Sequence, residues 1–405
     1  MPMMFLSLLV ALTVPFLPKE TRFDGSVSLQ SALDTGAGGR VKIARGSWNV
    51  DPSFVRNGTE VVFEDGAELV ANPKGFFGID DCVLNIHSVS NVIVRGGLIR
   101  MWRKDYLAKK DGRPRSQHRT GISLRGAGNI LIEDMKLSEC GGDGIYVANV
   151  FRSQGGCSDI VIRRCAMDHG LRQGMSVIDV RGLTVEDCRF ESSEGENPQC
   201  GVDFEPNHAW QSLERIVMRR CQFIANRRAG ACIYVPHLNS ASRPVDITFE
   251  DCSFIRNESC GISLSMKNHG DFPRGKVTLR RCRIEGSFEE AVQIGQKPLG
   301  SIALELVDTL LVSNAIVKTA RGDIRMLSRF PEDTPPDDIT FSNVRIIQGR
   351  KGEFFTYDHR AAAAEGKSFR KLSGDITVTD PSGTTQCHNI TPDKATALFP
   401  LATGK

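Results

Sequence analysis

A seven-residue phrase with apolar second, fourth and seventh positions recurs along the middle of the chain. The clear copies are NILIEDM (129–135), DIVIRRC (159–165), GLTVEDC (182–188), RIVMRRC (215–221), DITFEDC (246–252) and KVTLRRC (276–282). The last residues of successive copies lie 23 to 33 positions apart. Because positions two and four point to the same side of a β-strand, each copy predicts a strand with one buried face. Repetition at this period predicts a solenoid with one phrase per coil.

The fifth and sixth positions of the phrase carry acidic and basic pairs in alternation. The pairs are Glu133-Asp134, Arg163-Arg164, Glu186-Asp187, Arg219-Arg220, Glu250-Asp251 and Arg280-Arg281. In-register parallel strands lie about 4.8 Å apart, so like charges on neighbouring coils would repel each other and opposite charges attract. The alternation therefore predicts that successive phrases are stacked neighbours in space.

The seventh position predicts an interior column of side chains, which is Met135, Cys165, Cys188, Cys221, Cys252 and Cys282. A free cysteine packs as a small hydrophobe, and one ligand per coil forms no tetrahedral cage, so this column predicts packing and not a metal site. After each phrase we expect a second short strand and a left-handed corner, where Gly, Asn or Ser is favoured. The expected corner residues are Cys140, Gly170, Ser193, Asn226, Asn257 and Ser287.

A third strand is predicted in each coil, and in most coils it begins with glycine. The segments are GISL (121–124), GIYV (144–147), GMSV (174–177), GVDF (201–204), GACI (230–233), GISL (261–264) and AVQI (291–294). Three strands and three corners per coil predict an all-β fold, a right-handed single-stranded parallel β-helix with hydrogen bonds between coils. The ends of a solenoid need caps, and SLQSALD (28–34) predicts a short N-terminal capping helix.

The domain organisation that follows has three parts. Residues 1–20 are a candidate signal peptide, because the apolar segment 5–17 has the length of a signal core and is too short for a membrane span. The alternative is a start site placed too early, or an N-terminal capping segment. Residues 21–350 are the β-helix, and residues 351–405 are a C-terminal cap and tail, with a helix over 361–372 and a final strand pair. We expect an extracellular or periplasmic protein without stable membrane insertion.

The opening LQSALDTGAGGRVKI and the coil phrases resemble the pectate-lyase-like superfamily over roughly residues 25–345. This superfamily includes polygalacturonases, pectate lyases, uronan epimerases and phage tailspikes. The resemblance implies that a polysaccharide lies along the outer face of one sheet, gripped by loops at its corners. It rests on the coil phrases and carries no catalytic signature: GGDGIYV is similar to the paired-aspartate motif of polygalacturonases, but Gly144 replaces the second aspartate.

Outward positions of the third strand are therefore the candidate site. Two residues after each glycine lies the column Ser123, Tyr146, Ser176, Asp203, Cys232, Ser263 and Gln293. Asp203 and Glu205 lie on one face with α-carbons about 6.5–7 Å apart, near the separation of about 6.5–9.5 Å expected of the carboxyl groups of an inverting glycosidase. One would act as base and the other, with a raised pKa, as acid. The same pair could instead bind Ca²⁺, or be solvated surface carboxylates.

Other candidates surround this pair. Asp143 and Tyr234 are catalytic candidates, with a turn role for Asp143 equally open. Arg172 would clamp a substrate carboxylate; Gln173, Tyr146 and His169 are further substrate-binding candidates, although a corner histidine is more often structural. An elimination mechanism would draw its base from Arg172, Tyr234 or Lys267.

The segment 100–119, RMWRKDYLAKKDGRPRSQHR, interrupts the coil spacing. It holds eight Lys or Arg against two Asp, and insertions of this kind commonly lie on the binding face of a solenoid. Trp102 and Arg119 are its substrate-binding candidates, for sugar rings and anionic groups; the alternative is a solvated loop. Because basic charge is confined to this segment and the net charge is only +3, nucleic acid is not an expected partner.

The sequence thus favours an exported enzyme that cleaves an acidic or uronate-containing polysaccharide, with hydrolysis ahead of elimination. The alternative is a non-catalytic glycan-binding or structural β-helix. A single capped chain predicts a monomer. Calcium is the one cofactor that the residues suggest.

Overall fold

A computed structural model describes residues 19–109, 112–150, 152, 155–266, 271–295, 297, 300–313, 323–328, 337–359 and 369–394 of the chain. The elements follow in chain order. The N-terminal part contains β1 (Glu20–Phe23), α1 (Leu29–Thr35), β2 (Arg40–Ile43), β3 (Gly46–Val50), β4 (Ser53–Phe54), β5 (Glu60–Phe63), β6 (Ala67–Ala71), β7 (Cys82–His87), β8 (Ser90–Arg95) and β9 (Leu98–Arg100). A 3₁₀ helix, Arg103–Leu107, comes next.

The middle of the chain contains β10 (Thr120–Arg125), β11 (Gly128–Glu133), β12 (Lys136–Ser138), β13 (Ile145–Ala148), β14 (Cys157–Arg163), β15 (Ala166–Asp168), β16 (Met175–Val177), β17 (Val180–Glu186), β18 (Arg189–Glu191), β19 (Val202–Phe204), β20 (Leu213–Arg219), β21 (Gln222–Ile224) and β22 (Ala231–Tyr234). The last part contains β23 (Val245–Glu250), β24 (Ser253–Ile255), β25 (Ile262–Ser265), β26 (Gly275–Arg280), β27 (Arg283–Glu285), β28 (Val292–Gly295), β29 (Ala303–Val307), β30 (Leu310–Val312), β31 (Ile324–Ser328), β32 (Ile339–Ile347), β33 (Phe355–His359), β34 (Leu372–Thr379) and β35 (Thr385–Ile390).

These strands form three parallel ladders, one from each strand of the coil. The first ladder runs through β8, β11, β14, β17, β20, β23 and β26, and the second through β9, β12, β15, β18, β21, β24 and β27. The third is an eleven-stranded sheet with the order β4-β7-β10-β13-β16-β19-β22-β25-β28-β31-β33. The predicted all-β parallel β-helix with three strands per coil is confirmed.

The predicted interior column lies inside the helix. Met135 and the five cysteines that stack above it are each at most 2% exposed, and all five thiols are free. Beside this column the rings of Phe190, Phe223 and Phe254 stack with centroid separations of 5.3 and 4.6 Å. One-per-coil stacking of identical side chains therefore fills the core.

The alternating charges form ion pairs between coils. Arg164 donates to both carboxylate oxygens of Asp134, at 2.7 and 2.8 Å. Arg219 bridges Glu186 at 2.8 Å and Glu250 at 2.9 Å, one coil on either side. The register that the sequence predicted from charge is therefore confirmed.

The left-handed corner lies one residue earlier than predicted. It is occupied by Glu139, His169, Ser192, Ala225 and Arg256, with φ between 50° and 57°. Asn226 and Asn257, which were expected there, are instead fully buried: Asn226 Nδ2 donates to Asn257 Oδ1 at 2.9 Å and to the Phe190 carbonyl at 3.2 Å. The asparagine side chains form a hydrogen-bonded ladder inside the corner. The turn propensity of asparagine alone therefore placed the left-handed residue incorrectly.

The predicted N-terminal capping helix is confirmed, with its bounds shifted by one residue. Helix α1 begins after Ser28, whose side chain accepts a hydrogen bond from the Ser31 amide at 3.1 Å, and it buries Leu29, Ala32 and Leu33. At the other end, parallel pairing continues past residue 350 through β33 and β34, and the antiparallel pair β34–β35 matches the predicted final strand pair. The candidate signal peptide and most of the helix predicted over 361–372 lie outside the described residues. In the part of the chain that the structure describes, no helix is long and apolar enough to cross a membrane.

Candidate functional site

The outer face of the third sheet presents one side chain per coil in strict register. Ser123 pairs with Tyr146, Tyr146 with Ser176, Ser176 with Asp203 and Asp203 with Cys232. Ser263 and Gln293 continue the row. This row, from Ser123 to Gln293, is called the outer floor below. It is the column that the two-residue period of a strand predicted.

Three carboxyl groups gather at the middle of the outer floor. Asp143 lies at the corner before β13 and Asp203 lies in β19, and both are 2% exposed. Each has one carboxyl oxygen, Oδ1, without a hydrogen-bond partner among the described residues. Glu205, two residues beyond Asp203, is half-buried. Buried acids with unpaired oxygens are uncommon in proteins, and they mark this cluster as a candidate site.

Arg172 brings positive charge to the same place. Its guanidinium Nη1 lies 4.0 Å from Asp143 Oδ1, and its Nε donates to the Asn197 carbonyl at 3.1 Å. Nη1 also lies 3.4 Å from Nδ1 of His118. Since a guanidinium only donates, Nδ1 accepts, and this imidazole is neutral with its proton on Nε2. Burial and the charge of Arg172 lower the pKa of His118, in agreement with a neutral ring.

Two acids of this cluster, Asp143 and Asp203, hold a proton more readily than exposed aspartates. Burial raises the pKa of Asp143 to about 6, although the Arg172 charge and a hydrogen bond from Ser176 oppose the shift. Burial raises the pKa of Asp203 well above its usual range, with further contributions from Cys200 and from Glu205, which shares a hydrogen bond with it. The carboxyl of Asp203 is therefore easier to protonate than an exposed aspartate.

The separation of the acids decides which of them could serve as an inverting acid and base. Two carboxyl groups that share a hydrogen bond are closer together than the separation of about 6.5–9.5 Å needed by an inverting acid and base. Asp143 is placed differently, because it precedes β13, and β13 and β19 are separated by β16 and hence by two strand spacings, or about 10 Å. A whole strand, β16, therefore separates the coil that carries Asp143 from the coil that carries the Asp203–Glu205 pair.

The insertion 100–119 packs against the corner that carries Asp143. A Cβ atom at Gly141 would lie 2.0 Å from the Tyr106 ring, and one at Gly142 would lie 2.8 Å from the Gln117 carbonyl oxygen. The insertion therefore packs directly against the two glycines that precede Asp143. His118 of this segment reaches Arg172, so the segment borders the carboxyl cluster.

The picture of the insertion as a solvated basic loop is wrong for its central arginines. Arg103, Arg113 and Arg119 are 4%, 6% and 0% exposed. Arg119 donates to the carbonyls of Phe76 at 2.8 Å and Pro114 at 3.0 Å, and its guanidinium lies 5.0 Å from the centroid of the Tyr106 ring. Its charge holds the insertion together, so the predicted substrate contact of Arg119 is not available in this conformation.

The remaining predicted residues fall into three groups. Gln173, Tyr146 and Tyr234 lie with the cluster: Gln173 Nε2 donates to Ser176 Oγ, Tyr146 precedes Ser176 on the outer floor, and Tyr234 is one coil after Glu205. Trp102 and His169 do not contact it. Trp102 Nε1 donates to the Ala71 carbonyl at 2.6 Å, and His169 Nδ1 contacts Asp168 at a corner. Lys267 lies outside the described residues.

Sequence reasoning missed several side chains beside the cluster. His118 was within the insertion but was not singled out, and Arg125 stacks on the Tyr146 ring at 4.8 Å. Beyond Glu205, the rings of His208 and Trp210 stack at 5.3 Å on the loop that leaves β19. The two-residue period of the strand does place Arg125, two residues after Ser123, on the outer face, but it gave no role to that residue. The contact of His118 depends on the path of the insertion, which that period does not indicate.

The donor set does not fit the calcium site suggested by Asp203 and Glu205. Ca²⁺ needs six to eight oxygen ligands, usually with several ionised carboxylates. Here Asp203 is buried and holds a proton readily, and no group of three acidic, histidine or cysteine side chains in the described ranges is placed to hold a metal ion.

A family model described as "Right handed beta helix region" matches residues 53–205 and 99–284, which together span more than half of the chain. The chain belongs to the right-handed β-helix family. This match confirms the predicted hand of the β-helix. A curated relative is the SPbeta prophage-derived uncharacterized protein YorA of Bacillus subtilis, 29% identical over 227 residues. The match covers 53% of this chain, and this chain spans 36% of that protein's length.

Solved structures agree with the family in fold. The A-module of the mannuronan C-5 epimerase AlgE4 from Azotobacter vinelandii aligns with a TM-score of 0.61 at 13% identity, over 87% of this chain and 92% of that one. PfbA, a surface adhesin of Streptococcus pneumoniae, aligns with a TM-score of 0.59 at 12% identity, over 88% of both chains. At such identities the likeness extends to the right-handed β-helix fold and not to individual site residues.

Proposed function

We propose that this β-helix binds an acidic polysaccharide along its outer floor and hydrolyses its glycosidic bonds. The observation that carries the proposal is the pair of buried acids, Asp143 and Asp203. They have unpaired oxygens and raised pKa values, and the coil between the coils that carry them contributes β16. Acids with raised pKa values exchange protons nearer neutral pH, and the gap over β16 is the proposed place of the attacking water in an inverting reaction.

In the proposed reaction, the Asp203–Glu205 pair is the general acid. Its shared proton passes to the glycosidic oxygen as the bond between that oxygen and the anomeric carbon breaks. Glu205, the more exposed of the two, is the group that would contact the sugar, with Asp203 beneath it as the proton reserve. The pair becomes an anion as the leaving group departs as an alcohol.

Asp143 is the proposed general base. Above a pH of about 6 it is ionised, and it accepts a proton from the water whose oxygen forms the new bond to the anomeric carbon. Arg172 stabilises the ionised form of Asp143 at 4.0 Å and keeps it from sharing a proton with the other acids. Tyr146 and Tyr234 flank these groups along the sheet and are the proposed contacts for sugar rings.

An acidic glycan is favoured because Arg172 lies beside Asp143 and Arg125 lies over the neighbouring Tyr146 ring. The uronan-directed activity in the name of the mannuronan epimerase is consistent with a β-helix serving such polymers. Export is part of the proposal, and it rests on the apolar N-terminal segment and on the surface location in the name of the adhesin.

The test is a screen of the full chain against neutral and acidic polysaccharides, following reducing ends and the ultraviolet absorbance of unsaturated uronates together. New reducing ends without absorbance are expected. Asp143→Asn and Asp203→Asn should then lower kcat/KM by about 10²–10⁴-fold, the usual contribution of a general acid or base. Asp187→Asn, a matched change in a carboxylate that pairs with Arg220 on another ladder, should leave turnover unchanged.

Two other outcomes would contradict hydrolysis. If absorbance rises with the reducing ends, the reaction is an elimination and Arg172 and Tyr234 become the candidate bases. If the protein binds a glycan without turnover, it is a binding module, and the buried acids serve another purpose.

A further inference from the structure

A recess lies on the outer floor directly beyond the carboxyl cluster, on its C-terminal side. It has a volume of about 330 Å³ and is called the distal pocket here. Its floor is formed by Cys232, Ser263 and Gln293, which are the three outer-floor residues that follow Asp203, and its walls include Asn197, Arg228 and Ser259.

The distal pocket is continuous with the cluster. Cys232 pairs in register with Asp203, so one strand spacing of about 4.8 Å separates the two side chains along the sheet. Asn197 joins the two sites from above, because its carbonyl accepts the hydrogen bond of Arg172 while its other atoms line the pocket. A polysaccharide that crosses the carboxyl groups along the sheet therefore passes over the distal pocket next.

The lining of the distal pocket carries one charged side chain, which is Arg228. Arg228 is exposed, and within the described residues its guanidinium has no ion pair or hydrogen bond. The adjacent Arg227 is different, because it pairs with Glu258 one coil later. An unpaired guanidinium over a recess with no carboxylate in its lining suits an anionic group, which it can bind through two parallel hydrogen bonds.

The other polar groups of the pocket are arranged to complete such a contact. Ser263 Oγ donates to Gln293 Oε1 at 3.3 Å, and Gln293 Nε2 donates to Glu290 Oε1 at 2.6 Å. The Gln293 amide is thereby fixed, and the Ser263 hydroxyl can turn toward a ligand at the cost of one weak hydrogen bond. Three thiols, of Cys200, Cys232 and Cys260, line the rest with weakly polar surface that suits a sugar ring.

We infer that the distal pocket is a subsite for a uronate unit, whose carboxylate is bound by Arg228. The inference rests on the proposed function in that the same polysaccharide occupies the carboxyl cluster. It also gives the course of the bound polysaccharide. The polysaccharide extends from Asp143 toward the C-terminal coils and has an acidic sugar at Arg228.

The test measures binding and not turnover, in full-length protein carrying Asp143→Asn so that no bound chain is cleaved. The probes are oligogalacturonates and oligomannuronates, with their carboxyl-reduced counterparts and a sulfated oligosaccharide, titrated by calorimetry. Arg228→Gln should weaken the binding of an oligouronate by at least about tenfold, the effect expected for a charge-assisted bidentate contact. It should leave the carboxyl-reduced probe unchanged. Arg227→Gln is the matched control and should alter neither.

A second measurement locates the ligand. A small methanethiosulfonate reagent will label the half-buried Cys232 in protein that also carries Cys387→Ser, and a bound oligouronate should slow that labelling. The inference is overturned if no oligouronate binds, if Arg228→Gln and Arg227→Gln weaken binding equally, or if the sulfated probe alone depends on Arg228. Arg228-dependent binding by a protein that cleaves nothing would contradict hydrolysis and leave the pocket assignment intact.

Discussion

Asp143 keeps a carboxyl group where its ionised form is costly. Arg172, at 4.0 Å, and a hydrogen bond from Ser176 compensate its charge in part, and one of its oxygens has no hydrogen-bond partner among the described residues. The folded-state pKa of about 6 lies above the value near 3.9 expected in the unfolded chain. The folded protein therefore binds an extra proton between these two pH values, and it loses stability as the pH rises through that interval.

Replacing this group should stabilise the fold at the expense of activity. With Asp143→Asn the free energy of unfolding should match that of the natural protein at pH 4 and exceed it by up to about 3 kcal/mol at pH 8, because a shift of about two pKa units is removed. Urea denaturation at several pH values measures the difference.

Asp187→Asn provides a control of opposite sign. A hydrogen bond from Arg220 lowers the pKa of Asp187, so this carboxylate contributes stability above its unfolded-state pKa, and the variant should lose stability at pH 8. If Asp143→Asn is less stable than the natural protein at pH 8, the carboxyl is structural and not a strained catalytic group.

At the scale of elements, the position of the insertion 100–119 depends on close packing against glycine, which has no side chain. Gly142 allows the backbone of Gln117 and His118 to lie against the corner, where a Cβ atom would approach them to 2.8–3.0 Å. Gly142→Ala should therefore displace the insertion and separate His118 from Arg172. Faster amide hydrogen exchange in residues 103–109 and 112–119, with unchanged exchange in the strands, is the expected result.

Gly352→Ala is the control for this change, because a Cβ atom at Gly352 meets nothing within 4 Å. Equal exchange rates in the insertion for both variants would show that the packing on Gly142 does not position it.

The buried asparagine ladder gives a second prediction at this scale. Asn257 Oδ1 accepts from both the main-chain N–H and Nδ2 of Asn226, at 3.1 and 2.9 Å. Asn257→Ala would leave these buried donors unsatisfied, so it should lower the free energy of unfolding by about 2–5 kcal/mol. Ser253→Ala, on the outer side of β24, should cost far less. A small loss at Asn257 would mean that water replaces the amide in the corner.

The features predicted correctly from the sequence are those set by the two-residue period of a strand and by the alternating charged pairs. The outer floor followed from the two-residue period, and the register followed from pairs such as Glu186 and Arg219. Residues whose environment depends on contacts distant in sequence could not be predicted. Arg119 is buried and donates to the Phe76 carbonyl, 43 positions away, and His118 contacts Arg172, 54 positions away.

On the scale of the whole molecule, the stacked coils make stability a sum over neighbouring units. Each interior coil is supported on both sides, by ladder ion pairs and by the stacked rings of Phe190, Phe223 and Phe254. Coils near the ends lack one neighbour, and such coils should open at lower denaturant concentrations than the central ones. The cysteines report this order, because the buried column places one thiol in each of five successive coils.

We expect Cys387, the exposed thiol, to react at once in the native protein and the half-buried Cys232 to react slowly. The buried thiols should remain unlabelled until their coils open. In short labelling pulses at increasing urea, followed by peptide mass spectrometry, Cys282 should become reactive at a lower concentration than Cys221, because its coil lies closer to the C-terminal end of the stack. If Cys165, Cys188, Cys221, Cys252 and Cys282 all become reactive at one concentration, the β-helix unfolds as a single cooperative unit. Interactions between neighbouring coils would then far outweigh the stability differences among the coils themselves.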